Sequence, residues 1–217
     1  WWFHGSYAAD RAQRYARYLP IMLKRWHHAL DRRRLPVVLV QLPRYGGDGR
    51  PDQHTWAQVR AAQAAAAAER DDVPLVVTID LGDERAVHAE DKTALGGRLA
   101  DATLAAVYRD TGVSVHGPRF AAWEVDADSG VATVRFAHAE GLRTVDGASP
   151  RGFHLAGEDR RWHRARAEID GTSVRLTHPE VAVPRAVRYA WTGSPRVNLV
   201  NAGGLPAAPF RTDDWER

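Results

Sequence analysis

Cysteine is absent from all 217 residues, which removes disulfides, thiolate metal ligands and a cysteine nucleophile together and leaves the redox compartment unmarked. Lysine is scarce as well. Of 30 basic residues only Lys24 and Lys92 are lysine, and the arginines are interleaved with 27 acids for a formal charge of +3. The basic clusters, Arg32 to Arg34 and Arg160 to Arg166, are short and interrupted, so they make no continuous phosphate-tracking surface and nucleic acid is not an expected partner. Long apolar runs are also missing. The longest, Pro36 to Leu42, has the length of a strand and falls well short of the ~18 residues that span a bilayer, so no membrane partner is expected. Methionine occurs once, as Met22, and the chain opens on Trp1-Trp2-Phe3. That start looks cut; no signal peptide is visible, and one lying upstream would not be seen. Localisation is left open, secretion or a periplasmic location being compatible, and so is oligomeric state. What remains, 44% apolar and 26% charged, is ordinary globular composition and excludes a disordered or collagen-like chain.

From Tyr7 to Leu30 the residues Tyr15, Tyr18, Leu19, Met22, Trp26 and Leu30 recur at three- and four-residue spacing, the stripe of an amphipathic helix that Pro20 should kink or divide. Pro36 to Leu42 reads as a buried parallel strand, residues 43 to 53 as a Gly- and Pro-rich loop, and Thr55 to Arg70 as an alanine-rich helix. Leu75 to Ile79 is a second buried strand, followed by a loop and a helix over Thr93 to Tyr108. Trp1 to Phe3 has the look of the end of a third strand. Beyond Gly112 the period changes to two: Val134 and Phe136, then Val174 and Leu176, then Val187, Tyr189 and Trp191 alternate with polar or small residues, as half-buried antiparallel strands do. Asp170-Gly171 marks a hairpin between two of them.

Three groups of residues carry chemistry. Asp80 and Asp83 stand at the C-terminal end of the second strand with His88 five residues on. A histidine there can act as general base with a carboxylate orienting it, or be a surface-loop residue among solvated acids. His4-Gly5-Ser6 ends the first apolar stretch before a helix. Its backbone N–H groups suit an oxyanion, while Ser6 reads either as a nucleophile or, more simply, as a helix N-cap. The remaining histidines show no metal-ligand spacing with a third partner: His27 and His28 are adjacent and face apart, and His116, His138, His154, His163 and His178 are dispersed, so no metal site is expected. Gly46-Gly47-Asp48-Gly49 has no following lysine and reads as a turn.

Several stretches together resemble the sialate O-acetylesterase family, carbohydrate acetylesterases of the SGNH hydrolase type. Trp2-Phe3-His4-Gly5-Ser6 is similar to its tryptophan, aromatic, Gln-Gly-Glu-Ser-Asn block, and Tyr18 to Trp26 to its helix ending in Leu-Pro. Leu39-Val40-Gln41-Leu42 resembles its Phe-Val-Gln-Leu strand, and Trp56, Arg60 and Gln63 its Trp-x-x-x-Arg-x-x-Gln helix. Asp80-Leu81-Gly82-Asp83, His88, Lys92 and Gly97 to Ala100 resemble its histidine block. Ala186 to Trp191, Asn198-Leu199, Gly204 to Ala207 and Pro209 to Asp213 resemble its C-terminal signature.

The resemblance implies hydrolysis of an O-acetyl ester on sialic acid or a related sugar, with no metal or other cofactor. His88 is then the general base, Asp80 or Asp83 its orienting acid, and His4, Gly5 and Ser6 the oxyanion or substrate-binding block. The family's nucleophile lies in a Gly-Gln-Ser-Asn block that this sequence lacks, and His4, Ser6 and Ala8 stand where the family has Gln, Glu and Asn. The expected fold is an α/β, partial doubly wound parallel sheet, SGNH hydrolase-like with its first half missing, over residues 1–112. A β-rich region follows over 113–217. The expected function is that of a sialate O-acetylesterase-like hydrolase fragment without its serine, with an acetylated sugar as partner. The alternative is a non-catalytic carbohydrate-binding or interaction protein using Trp123, Trp162 or Trp215.

Overall fold

The structure, a computed structural model, describes residues 1–31, 35–46, 54–70, 72–88 and 90–215, and of Ala9 and Asp10 only the backbone. The arginine cluster at 32–34 and most of the loop expected over 43–53, with its Gly-Gly-Asp-Gly run, lie outside the described residues. The chain divides into two compact units: Trp1–His116 with Thr192–Ser194, and Gly117–Trp191 with Pro195–Arg217.

The first unit begins with a 3-10 helix, Ser6–Arg11, that runs into α1, Ala12–Ala29. Pro20 lies inside α1 without dividing it, so of the two expected effects, a kink or a division, the division does not occur. A proline costs the helix one backbone hydrogen bond, and Leu19 and Leu23, at 3% and 0% exposure, each return about 1.5–3 kcal/mol on burial. Two short strands, β1 at Leu39–Val40 and β2 at Leu75–Val76, alternate with α2 at His54–Ala68 and α3 at Thr93–Tyr108. Val37 and Leu39 pack with Leu19, Leu23 and the α2 alanines Ala66 and Ala67. Val38 and Val40 point the other way, to Val76, Leu95 and Ala102, as the two-residue period of an extended chain requires.

A partial doubly wound parallel sheet is not what these residues build. Among the described residues parallel pairing is confined to β1 with β2, two residues each, and to single bridges of Trp2 to Leu39 and Arg44 to Gly82. The ladder stops for a physical reason: side chains take the backbone groups that would extend it. The Leu42 N–H donates to Gln63 Oε1 at 2.9 Å, the Leu42 carbonyl accepts from Arg60 Nε at 2.8 Å, and the Gln41 carbonyl accepts from Thr78 Oγ1 at 2.5 Å. The regular pairing of the chain is instead mostly antiparallel and lies in the second unit. No helix among the described residues is long and apolar enough to cross a membrane.

That unit contains β3 (Arg119–Asp126), β4 (Val131–Ala137), β5 (Arg143–Thr144), β6 (Phe153–Ala156), β7 (Trp162–Arg164), β8 (Arg166–Asp170), β9 (Ser173–Thr177), β10 (Ala186–Tyr189), β11 (Leu199–Val200) and β12 (Phe210–Arg211). They form antiparallel sheets in the orders β3-β4-β9-β8, β12-β10-β6-β7 and β11-β5. Alternation selects the core of the first: Ala132, Val134 and Phe136 on β4 are buried with Val174 and Leu176 on β9. Gly171, at φ +61°, makes the tight β8–β9 hairpin because glycine reaches positive φ without a Cβ clash. β10 departs from the expected half-burial. Arg188 is buried with its neighbours, its guanidinium bonded to both carboxylate oxygens of Asp213 at 2.9 and 2.7 Å and lying 4.1 Å from the Trp162 ring centre. A buried charge of this kind is tolerated when a bidentate carboxylate and an aromatic face receive it.

Candidate active site

The residues singled out for chemistry lie in the first unit, where the chain leaves β1 and β2. One face of α2 fixes this region. Trp56, Arg60 and Gln63 are four and three residues apart, so their side chains emerge on one side of the helix. Trp56 Nε1 donates to the Pro43 carbonyl at 2.9 Å. Arg60 donates to the carbonyls of Leu42, Pro43, Thr192 and Gly193 at 2.6–2.8 Å. Gln63 Nε2 donates to the carbonyls of His4 and Val40 at 3.0 and 3.1 Å. Arg60 is fully buried. Burial, with the Arg44 charge adding to it, lowers its ionisation to about 9, so it is still cationic at neutral pH, and carbonyl dipoles replace its lost hydration. Three separate stretches of chain are thereby anchored to one helix.

Gly82 closes the arrangement. Its φ is +94°, and a Cβ there would stand 2.5 Å from the Arg44 carbonyl oxygen; only glycine allows the segment after β2 to lie against the segment after β1. From this contact the loop to α3 carries His88. The imidazole is exposed and helps line a small pocket that is partly open to solvent, shared with Phe3, Thr78, Val87, Asp91, Lys92 and Leu95. The walls are mainly apolar, with His88, Asp91 and Lys92 grouped on one side in sequence. Asp91 Oδ1 accepts from the Thr93 N–H at 2.8 Å at the start of α3, and that bond, followed by one from the Thr93 side chain, holds its carboxyl below the usual range.

The acids proposed to orient His88 are engaged elsewhere. Asp80 receives both terminal nitrogens of Arg98, at 2.7 and 2.6 Å, and Arg98 also donates to the Val77 carbonyl at 3.0 Å. Asp83 is exposed and accepts from the Arg85 N–H at 2.6 Å, a local turn. Neither is hydrogen-bonded to His88 among the described residues. Asp80 therefore ties α3 to the strand end, and neither of these two acids fixes the tautomer of the imidazole.

The His4-Gly5-Ser6 stretch is a built turn beside this pocket. The His4 carbonyl accepts from Tyr15 Oη at 2.9 Å and from Gln63, and the His4 ring lies between Trp2 and Tyr15, 5.0 and 6.0 Å from their centres. Burial raises the Tyr15 ionisation, which keeps that hydroxyl a donor. Gly5 has φ +140° and would bring a Cβ to 3.0 Å from Val59 Cγ1. It is Gly5, not Ser6, that occupies the N-cap of the 3-10 helix, with no side-chain cap bond. Phe3 is the part of the stretch that reaches the pocket; His4, Gly5 and Ser6 do not line it.

Sequence reasoning thus found His88 but not Phe3, Thr78 or Asp91 beside it. The Asp91-x-Thr93 pattern before a helix was the signal available for Asp91. The tryptophans read as sugar-binding surfaces are half-buried: Trp162 lies under Arg188 and 5.5 Å from Trp215, while Trp215 has Arg160 at 5.2 Å.

No family model and no curated protein matches the chain. Among solved structures, a carbohydrate acetylesterase from Xanthomonas citri is similar over 93% of this chain, at 34% identity and a TM-score of 0.85. The chain spans 46% of that protein's length, about half. It is therefore similar to a carbohydrate acetylesterase in general, with nothing in the likeness that singles out sialic acid.

Proposed function

We propose that this chain forms the base-bearing part of a carbohydrate O-acetylesterase, with His88 as the proton acceptor. The observation that carries the reading is the pocket that joins His88 to Phe3, beside the anchored His4-Gly5 turn. In the proposed cycle a serine hydroxyl attacks the acetyl carbonyl while His88 takes its proton. The tetrahedral intermediate collapses, the sugar leaves as an alcohol with that proton, and water, activated by the same imidazole, releases acetate and restores the serine. No serine lines the pocket among the described residues, and the Thr78 hydroxyl donates to the Gln41 carbonyl, so the attacking oxygen is assigned to a segment other than these walls. Phe3, Val87 and Leu95 suit the acetyl methyl group and the apolar face of a sugar ring. Sialic acid is the narrower substrate, and Lys92 in the lining supports it through its charge toward the sugar carboxylate.

Nuclear magnetic resonance titration tests the pocket directly. O-Acetylated sugars should shift the Val87, His88, Lys92 and Leu95 signals more than their deacetylated counterparts do, and an acetylated sialic acid more than a neutral acetylated sugar. Shifts confined to residues outside the pocket, or equal for both acetylation states, would remove the basis of the reading.

A further inference from the structure

The second unit brings together three side chains that deacetylation does not use. His163 is on β7, His178 directly follows β9, and Glu180 sits in the turn closed by the Val181 N–H to the His178 carbonyl at 3.1 Å. One ligand atom from each lies within 4.8 Å of the others. His163 Nδ1 is 4.0 Å from Glu180 Oε1, and the two imidazole centres are 4.7 Å apart. Both histidines are half-buried and Glu180 is exposed.

The fold makes this juxtaposition; spacing in the sequence does not. His163 is held in register opposite Leu155 of β6, and Thr177, the residue before His178, opposite Arg166 of β8. Only Ala165 separates the end of β7 in one sheet from the start of β8 in another. The end of β9 is thereby brought beside β7, and the two histidines ride on backbones that both ladders restrain.

We propose that His163, His178 and Glu180 form a binding site for a divalent transition cation of the zinc type. Two imidazole nitrogens and one carboxylate oxygen are a donor set zinc accepts at about 2.0–2.2 Å, whereas magnesium and calcium favour oxygen donors. Ligand atoms around zinc at that radius lie roughly 3–3.5 Å apart, so the three must close by about 1 Å. The Glu180 side chain, 73% exposed, is free to make most of that movement. The Glu180 N–H donates to His178 Nδ1 at 3.2 Å; coordination by this ring replaces that long contact with a metal bond. Three protein ligands leave a fourth position to water, and the ion clamps the turn at 178–181 to β7.

Calorimetric titration of the whole chain with zinc chloride, alongside thermal unfolding, tests the site. The expected result is one equivalent of zinc per chain, a raised Tm that a chelator reverses, and no response to magnesium. His163→Gln and His178→Gln should each weaken binding by about tenfold or more, and Glu180→Gln by less. Because the chain has ten histidines, imidazole nitrogen resonances of the unmutated protein supply a measurement independent of variant folding: the His163 and His178 rings should respond first. Absence of saturable binding, or stoichiometric zinc whose first-shifted rings belong to other histidines, would overturn the assignment.

Discussion

Replacing Arg60 with methionine is the most severe single test of how the candidate site is held. The guanidinium satisfies the carbonyls of Leu42, Pro43, Thr192 and Gly193 from a fully buried position. Methionine fills much of the same volume and donates nothing. Pro43 keeps Trp56 and Gly193 keeps the Tyr45 N–H as donors, which leaves the Leu42 and Thr192 carbonyls without a partner, at about 1–3 kcal/mol each. The variant is relieved of desolvating a cation, which offsets several kcal/mol. The net loss is about 1–3 kcal/mol, the range of a buried polar group left unpaired. With a urea slope of about 2 kcal/mol/M the unfolding midpoint of the first unit should fall by roughly 0.5–1.5 M. Arg60→Lys keeps the charge but not the planar fork of donors, and should recover less than half of the loss. Urea titration followed by tryptophan fluorescence and circular dichroism measures this. A midpoint shift below about 0.3 M for Arg60→Met would refute the view that this side chain anchors the two stretches at 42–43 and 192–193.

Gly82→Ala should destabilise the first unit by about 1–3 kcal/mol through both its positive φ and the close Arg44 carbonyl, and should weaken ligand binding at the His88 pocket; unchanged stability by urea titration would contradict the close approach. Asp213→Asn leaves Arg188 buried without its counter-charge and should cost about 3–5 kcal/mol, while Arg188→Met combined with Asp213→Leu should cost less than the sum of the single changes; additive effects in that cycle would sink the pairing argument. His154 gives a pH dependence. Burial, reinforced by the Arg164 and Arg188 charges and opposed by a hydrogen bond that the ring donates to the Gly152 backbone, lowers its ionisation below 6.5, so the unfolded chain binds the proton more readily. Stability is full above that value and declines as pH falls from it toward the depressed native value. His154→Gln should flatten this part of the stability profile relative to the unmutated chain, and an unchanged profile would contradict the assignment.

Local signals that act through the backbone were readable. Asp170-Gly171 marks its hairpin because positive φ has few occupants, and the Leu95, Leu99 and Leu104 spacing marks α3 over the residues it occupies. What escaped depended on partners far away in sequence. Leu42 and Gln41 read as strand, yet Gln63, Arg60 and Thr78 take their backbone groups and end the ladder, which is why a doubly wound sheet was the wrong expectation. Arg60 was legible as part of the Trp56, Arg60, Gln63 pattern on an alanine-rich helix, but its four carbonyl acceptors, from residues 42, 43, 192 and 193, were not. Arg188 reads as the polar side of a half-buried strand until Asp213, 25 residues on, is seen to neutralise it. His88 was found by its place after a buried strand, but nothing local reveals that Asp80 belongs to Arg98 or that Phe3 shares the pocket. His163 lies on β7 and His178 and Glu180 in the turn after β9, strands of two different sheets that only the tertiary fold brings together.

The central claim is that His88 accepts the proton when an acetyl group leaves a sugar. Acetate release from O-acetylated sugars by the full-length gene product, with and without His88→Ala, tests it most directly. The expected result is a fall in kcat/KM of about a hundredfold or more, with Ser6→Ala close to the unmutated rate. An undiminished rate for His88→Ala, or turnover abolished by Ser6→Ala in the 217-residue chain alone, would contradict it.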